Sequence, residues 1–196
     1  MSQMKHAGCD AMLAFSTKKT IQASGVLLKA HGGRMSRMRL LKMLYMADRI
    51  LLKAIGCPIT RDTVYAMDNG PVLERTYDLI KGKDPSLPLW GKYIQNEGSQ
   101  DLILTKEPGV GCLSEFEVDT LRKIADDFRD VDDFGVADYT HGFPEWIKNA
   151  PPKGSRKVIS VDDILEALGI SDMKEALVAE GKSEAAFNHA ISQIET

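Results

Sequence analysis

A chain of 196 residues, 43% hydrophobic and 27% charged, has the makeup of a soluble globular protein with one sizeable core. Its formal charge of −3 excludes coating nucleic acid by bulk electrostatics, but not a local basic patch. Cys9, Cys57 and Cys112 form no C-x-x-C pair, which suits free thiols in a reducing cytosol better than a disulfide framework. The apolar patch from Ala11 to Phe15 is too short for a secretory signal, and no run reaches the roughly 18 apolar residues of a membrane span. The expectation is a soluble, cytoplasmic protein without a membrane partner.

A first helix is predicted from about Thr17 to His31, with Ile21 and Leu28 on its apolar stripe and Gly32-Gly33 closing it. Ser36 is a plausible cap for the next helix, which runs to Ile55 and stops at Gly56, with Pro58 beyond. At about 100° per residue, Leu40, Leu41, Leu44, Leu51, Leu52 and Ile55 share one side of it. Arg39, Lys42, Arg49 and Lys53 share another. Asp48 projects from the apolar side and must find partners, because an unpaired buried charge is costly.

Thr63 to Met67 alternates like a short strand. Asn69-Gly70-Pro71 reads as a turn into a third helix with Pro71 at its first position and Val72, Leu73, Thr76, Tyr77 and Ile80 on its buried side. Residues 82–88 read as a loop. Lys92–Asn96 and Leu102–Thr105 read as a hairpin around Gly98-Ser99. Ser114 and Glu117 form a capping box, with Leu113 as its staple, and Val118, Leu121, Ala125 and Phe128 mark the inner face of the helix that follows. Shorter helices are expected around Val136–Thr140 and Pro144–Lys148. Pro151–Lys157 is the best linker candidate. It divides an expected domain, 1–157, from a helical extension, 158–196. In that extension Ser160 and Asp163 open a helix that Gly169 closes, and a last stretch carries Phe187, Ile191 and Ile194. The fold class is α+β: mainly helical, with a small antiparallel sheet or hairpin and a C-terminal helical extension.

Several separate segments together carry a resemblance: L-L-K-M-L-Y-M-A-D-R at 40–49, P-I-T at 58–60, Y-A-M-D-N-G-P-V at 65–72 and T-Y-D-L-I-K-G at 76–82. L-S-E-F-E at 113–117, Y-T-H at 139–141 and P-E-W at 144–146 continue it. This pattern resembles the SocA-like antitoxin family, or Panacea domain, over roughly Thr17 to Gly169. The resemblance implies a bacterial or phage antitoxin that neutralises a cognate protein toxin by direct contact, the toxin being made from the adjacent gene. An ATP-dependent protease is a further partner that the resemblance admits, with the chain as its adaptor. The positions it carries over as structural are Lys42, Leu44, Tyr45, Asp48, Gly70, Pro71, Val72, Tyr77, Thr140, His141 and Trp146. Asn69 departs from the pattern, standing where relatives place a histidine before Gly-Pro-Val, so no imidazole role is assigned there.

Each motif has a plain alternative. Asp48 with His141 would make a catalytic pair, but a structural carboxylate tying the central helix to the second half is the preferred reading. Arg39, Lys42, Arg49 and Lys53 are candidate partner-binding residues, against the alternative of a solvated face. Lys42, inside the Lys-x-Leu-Tyr segment of the family, is expected to hold a specific partner. Trp90 is a further partner-binding candidate, although it and Trp146 both suit packing. The five methionines between Met35 and Met67 suit an irregular core. A winged-helix DNA-binding regulator is the alternative function, because helices followed by a hairpin are its layout. The polar and acidic hairpin tip, Gln95 to Asp101, makes a poor wing, so nucleic acid is disfavoured as a partner. No metal-ligand spacing, phosphate-binding glycine loop or nucleophile elbow appears, so no cofactor, metal or catalytic residue is expected.

Overall fold

Ser36 decides where the central helix begins. In the computed structural model, which describes residues 14–179 together with 181 and 183, its hydroxyl accepts the Arg39 amide at 3.1 Å and caps α2 (Arg37–Ile55). Gly56 ends α2 in the left-handed conformation, φ 71°, returning its amide to the Leu52 carbonyl at 3.0 Å. From Arg39 to Asp48 every residue is buried, so α2 is an axial helix packed on all sides rather than a two-faced surface helix. Two sequence expectations change as a result. Arg39 and Lys42 do not lie on a solvated face, and Ile55, expected in the apolar stripe, is 52% exposed because the helix has run past its neighbours.

α1 (Thr17–Ala30) packs on α2 and on α5 (Glu115–Asp127), whose start is the expected capping box of Ser114 and Glu117. α6 (Asp133–His141), capped by Asp132, also packs on α2, and α7 (Pro144–Asn149) follows against α6. Leu27, Leu40, Leu44, Leu51, Leu121 and Val136 are fully buried where these helices meet.

The single small sheet expected from the sequence is two antiparallel three-stranded sheets. In one, β1 (Arg34–Ser36) and β4 (Ile94–Glu97) flank β5 (Asp101–Leu104), so the link between the first two helices is itself a strand. In the other, β3 (Gly70–Leu73) and β6 (Lys157–Ile159) flank β2 (Val64–Met67). Pro71 is therefore not the first residue of a helix. It faces Ala66 across a tight hairpin and lies on an edge strand, which tolerates a residue with no amide hydrogen. α3 (Glu74–Ile80) starts three residues later, and α4 (Leu87–Trp90) turns part of the expected 82–88 loop into a helical turn.

Of the basic Pro151–Lys157 stretch, the last residue opens β6, which pairs with β2. α8 (Val161–Leu168) is capped by Ser160 and closed by Gly169 as expected, and buries Ile164, Leu165 and Leu168. A 3-10 turn at Ser171–Met173 leads into helical residues that bury Leu177. Phe187, Ile191 and Ile194 lie outside the described residues.

Candidate functional site

The basic residues of α2 act as a clamp. Arg39 Nε donates to Asp133 Oδ1 at 2.7 Å and Nη1 to the Phe128 carbonyl at 3.1 Å, while Nη2 reaches the Val131 carbonyl. One guanidinium thus closes the C-terminal end of α5 and anchors the start of α6, a fork that lysine does not possess. Further along, Arg49 donates Nε to Glu145 Oε1 at 2.6 Å and Nη2 to Oε2 at 3.2 Å. The Tyr45 hydroxyl donates to the same Oε1 at 2.7 Å. The Glu145 side chain has no solvent exposure, and Arg49 also covers the Phe143 ring at 4.2 Å. Burial and the neighbouring carboxylate push the Tyr45 phenol well above its usual range. Glu145 was not singled out from the sequence. The signal was present in the Pro-Glu-Trp segment, as an acid within a helix that had to face a cationic one.

Asp48 serves the loop after its own helix rather than the second half of the chain. Its Oδ1 accepts the Ile59 and Thr60 amides at 2.7 and 3.0 Å, and its Oδ2 accepts the Thr60 hydroxyl. Burial outweighs these bonds and raises its carboxyl to about 7. Asp62 repeats the device, accepting the Arg75 and Thr76 amides at 2.9 and 2.8 Å at the start of α3. The Asp48–His141 catalytic pair does not form. His141 stacks on Trp146, centroids 4.3 Å apart, and its Nε2 is buried with no hydrogen-bond partner.

Lys42 is the most enclosed of the basic residues, at 1% exposure. Its Nζ donates to the Pro71 carbonyl at 2.7 Å, and burial lowers the ammonium to about 7. Gly70 leaves the space that Lys42 needs. A Cβ there would stand 2.6 Å from Thr140 Oγ1 and 3.0 Å from Lys42 Nζ, and φ is +94°. Trp146 closes this side by donating Nε1 to the Met67 carbonyl at 3.2 Å. The family-motif residues Lys42, Gly70, Pro71, Thr140, His141 and Trp146 therefore converge on one spot, although they come from α2, β3, α6 and α7. A cavity of about 290 Å³ opens beside it.

The remaining expected residues lie apart from this spot or only line its edge. Leu44 is core. Val72 and Tyr77 are half-buried on the cavity wall, and Lys81 Nζ sits 4.1 Å above the Tyr77 ring. Trp90 is 2% exposed and packs inside. Of the expected stripe Arg39, Lys42, Arg49 and Lys53, Lys53 is the one that is exposed. Sequence reasoning did not find the exposed aromatic face of α6 and α7. There Tyr139, 55% exposed, meets Phe128 and Phe143 edge-on at 4.9 and 5.6 Å, and Ile147 is 60% exposed. Among the described residues no helix is long and apolar enough to cross a membrane. No group of three or more potential metal-ligating His, Cys, Asp or Glu side chains occurs among them.

Comparison with curated proteins and with solved structures returned no match. A family model described as antitoxin SocA-like, Panacea domain, matches residues 40–147. That span runs from the first core leucines of α2 to α7 and takes in Lys42, Gly70, Asp48 and Glu145 with the partners described above. The chain belongs to the SocA-like antitoxin (Panacea domain) family.

Proposed function

We propose that this protein neutralises a cognate protein toxin, encoded by the adjacent gene, by binding it directly and stoichiometrically, and that it is not an enzyme. The observation that carries the reading is the family match over residues 40–147. The geometry agrees with it in two ways. The buried charges of α2 that suggested chemistry serve internal partners: Arg39 with Asp133, Arg49 with Glu145, and Asp48 with Ile59 and Thr60. Meanwhile Tyr139 of α6 and Ile147 of α7 present an aromatic and an aliphatic anchor beside the half-buried Phe143 ring that Arg49 covers, and tyrosine and arginine are residue types that dominate binding energy at protein interfaces.

The winged-helix alternative loses support from the same geometry. Arg39 and Arg49 are tied to carboxylates within the fold, and Arg34 beside the hairpin pairs with Glu97 and Asp101. Little of the phosphate-gripping stripe is left to bind DNA. The test is co-expression. The product of the neighbouring gene is expressed alone and with this chain, growth is scored, and the pair is purified together. Rescue with a fixed-stoichiometry complex supports the reading. A harmless neighbour, or rescue without a complex, overturns it. Faster loss of the toxin in cells with an intact ATP-dependent protease would add the adaptor role.

A further inference from the structure

The cavity beside Lys42 lies apart from the exposed anchors Tyr139 and Ile147, and its chemistry is specific. Arg37 and Met38, the first two residues of α2, stand on one side, Leu41 and Lys42 follow a turn later, and Met67 forms part of the opposite wall. We propose that this cavity is a slot for the carboxylate of an acidic side chain on the protein partner, received by Lys42 and Arg37. The occupant rests on the toxin-binding reading.

Lys42 carries three N–H donors and directs one to the Pro71 carbonyl. Thr140, His141 and the Lys42 amine all stand close against Gly70, where a Cβ would meet each of them within 3.3 Å. Asp68, the acid on the wall, already accepts the Gly154 amide on both oxygens, at 3.0 and 2.9 Å. Arg37 and Lys42 share the cavity wall with a single acid, whose oxygens also take the Gly154 amide, and the positive end of a 19-residue helix forms part of the same wall. The size and the walls choose among anions. About 290 Å³ holds a side chain, and Met38, Leu41 and Met67 suit a methylene stem that inorganic phosphate lacks. Trp146 of α7 ties the exposed aromatic face to the cavity wall by its bond to the Met67 carbonyl, while its neighbour Ile147 faces solvent. One partner surface would span both.

The Lys42 amine reports occupancy directly, since a carboxylate held against it raises its proton affinity. Besides Lys42, the titratable groups on or behind the cavity are Arg37, Asp68, Tyr77 and His141. The experiment follows the ¹⁵Nζ signal of Lys42 through a pH titration of the full chain. Capped aspartate and capped glutamate are added in turn, with inorganic phosphate and sodium chloride at matched ionic strength as controls. The capped acids are expected to raise the proton affinity of Lys42 at least tenfold. Arg37→Ala should weaken their binding at least fivefold, and Lys42→Met should remove the signal and the binding. If the capped acids leave the titration of the folded wild type unmoved, or phosphate moves it as far, the proposal is overturned. The two readings fail separately. A toxin neutralised equally well by wild type and a folded Lys42→Met variant removes the slot and leaves the antitoxin. Capped acids that titrate Lys42 in a chain that binds no toxin leave the slot and remove the antitoxin.

Discussion

Arg49 and Glu145 are 96 residues apart in the chain, and their side chains meet at 2.6 Å in a pocket that gives the carboxylate no solvent. Tyr45 donates to the same oxygen, so one acid from α7 satisfies two donors one helical turn apart on α2. Removing the acid leaves a phenol and a guanidinium with no acceptor. We expect Glu145→Ala to destabilise the fold by about 3–5 kcal/mol, the usual effect of breaking a buried pair from one side. Glu145→Gln should cost less, because its amide oxygen still accepts. Urea unfolding followed by circular dichroism measures both, and a loss below about 1 kcal/mol for the alanine variant would refute the clamp.

Asp48 and Lys42 should give the stability an unusual pH profile. Asp48 titrates near 7 when folded and near the ordinary carboxylate value when unfolded. Between about pH 4 and 7 the folded state therefore holds more protons, and its stability falls as pH rises. Lys42 is also lowered to about 7, so above that pH the unfolded state holds the extra proton and stability rises towards about pH 10. The two contributions have a common minimum near neutrality. Asp48→Asn, which keeps an acceptor for the Ile59 and Thr60 amides, should flatten the acid arm by up to about 4 kcal/mol. Lys42→Met should flatten the alkaline arm. Unfolding free energies measured from pH 4 to 10 decide it, and unchanged arms in the variants would reject the assignment.

Gly70 and Gly98 separate two reasons for glycine. Both have positive φ, +94° and +61°, but a Cβ on Gly98 meets nothing within 4 Å. Gly98→Ala should cost about 1 kcal/mol, the backbone contribution alone. Gly70→Ala also drives a methyl into Thr140 and Lys42, and should cost about 3 kcal/mol or more. Equal losses in thermal unfolding would show that the crowding around Gly70 has no energetic consequence.

Arg39 joins two helices through the shape of its guanidinium. Lysine reaches one acceptor where arginine reaches Asp133, Phe128 and Val131 together. Arg39→Lys is expected to lose about 2 kcal/mol and to speed hydrogen exchange at the end of α5 and the start of α6 ahead of α1. Uniform exchange across all three helices would contradict this.

Tyr139 tests the surface. It is more than half exposed and packs edge-on against Phe128 and Phe143. Tyr139→Ala should leave the unfolding midpoint within a few degrees of wild type and weaken toxin binding at least tenfold, about 1.4 kcal/mol. Lys53→Glu, on the exposed last turn of α2, is a matched surface control for charge. Full affinity in the tyrosine variant would move the interface elsewhere.

Local signals in the sequence were enough to set most element boundaries. Ser36, Ser114 and Ser160 each cap the helix they were expected to cap, and Gly56 and Gly169 close theirs, because capping depends on groups within a few residues. The segments that resemble the SocA-like family were legible for the same reason, as strings with fixed spacing. Only the tertiary structure decided what those residues do. Helical periodicity assigns a basic stripe to a face, but whether water or protein covers that face depends on α5, α6 and α7, which come from far along the chain. Arg39, Lys42 and Arg49 are therefore internal ligands of Asp133, Pro71 and Glu145 rather than an open surface. Pro71 sits on an edge strand through a local pairing instead, since β2 joins it across the two-residue turn Asp68-Asn69. Burial, which shifts Asp48 and Lys42 towards neutrality and opens a cavity between α2 and the β2–β3 hairpin, is a property of the assembled fold and has no local signature.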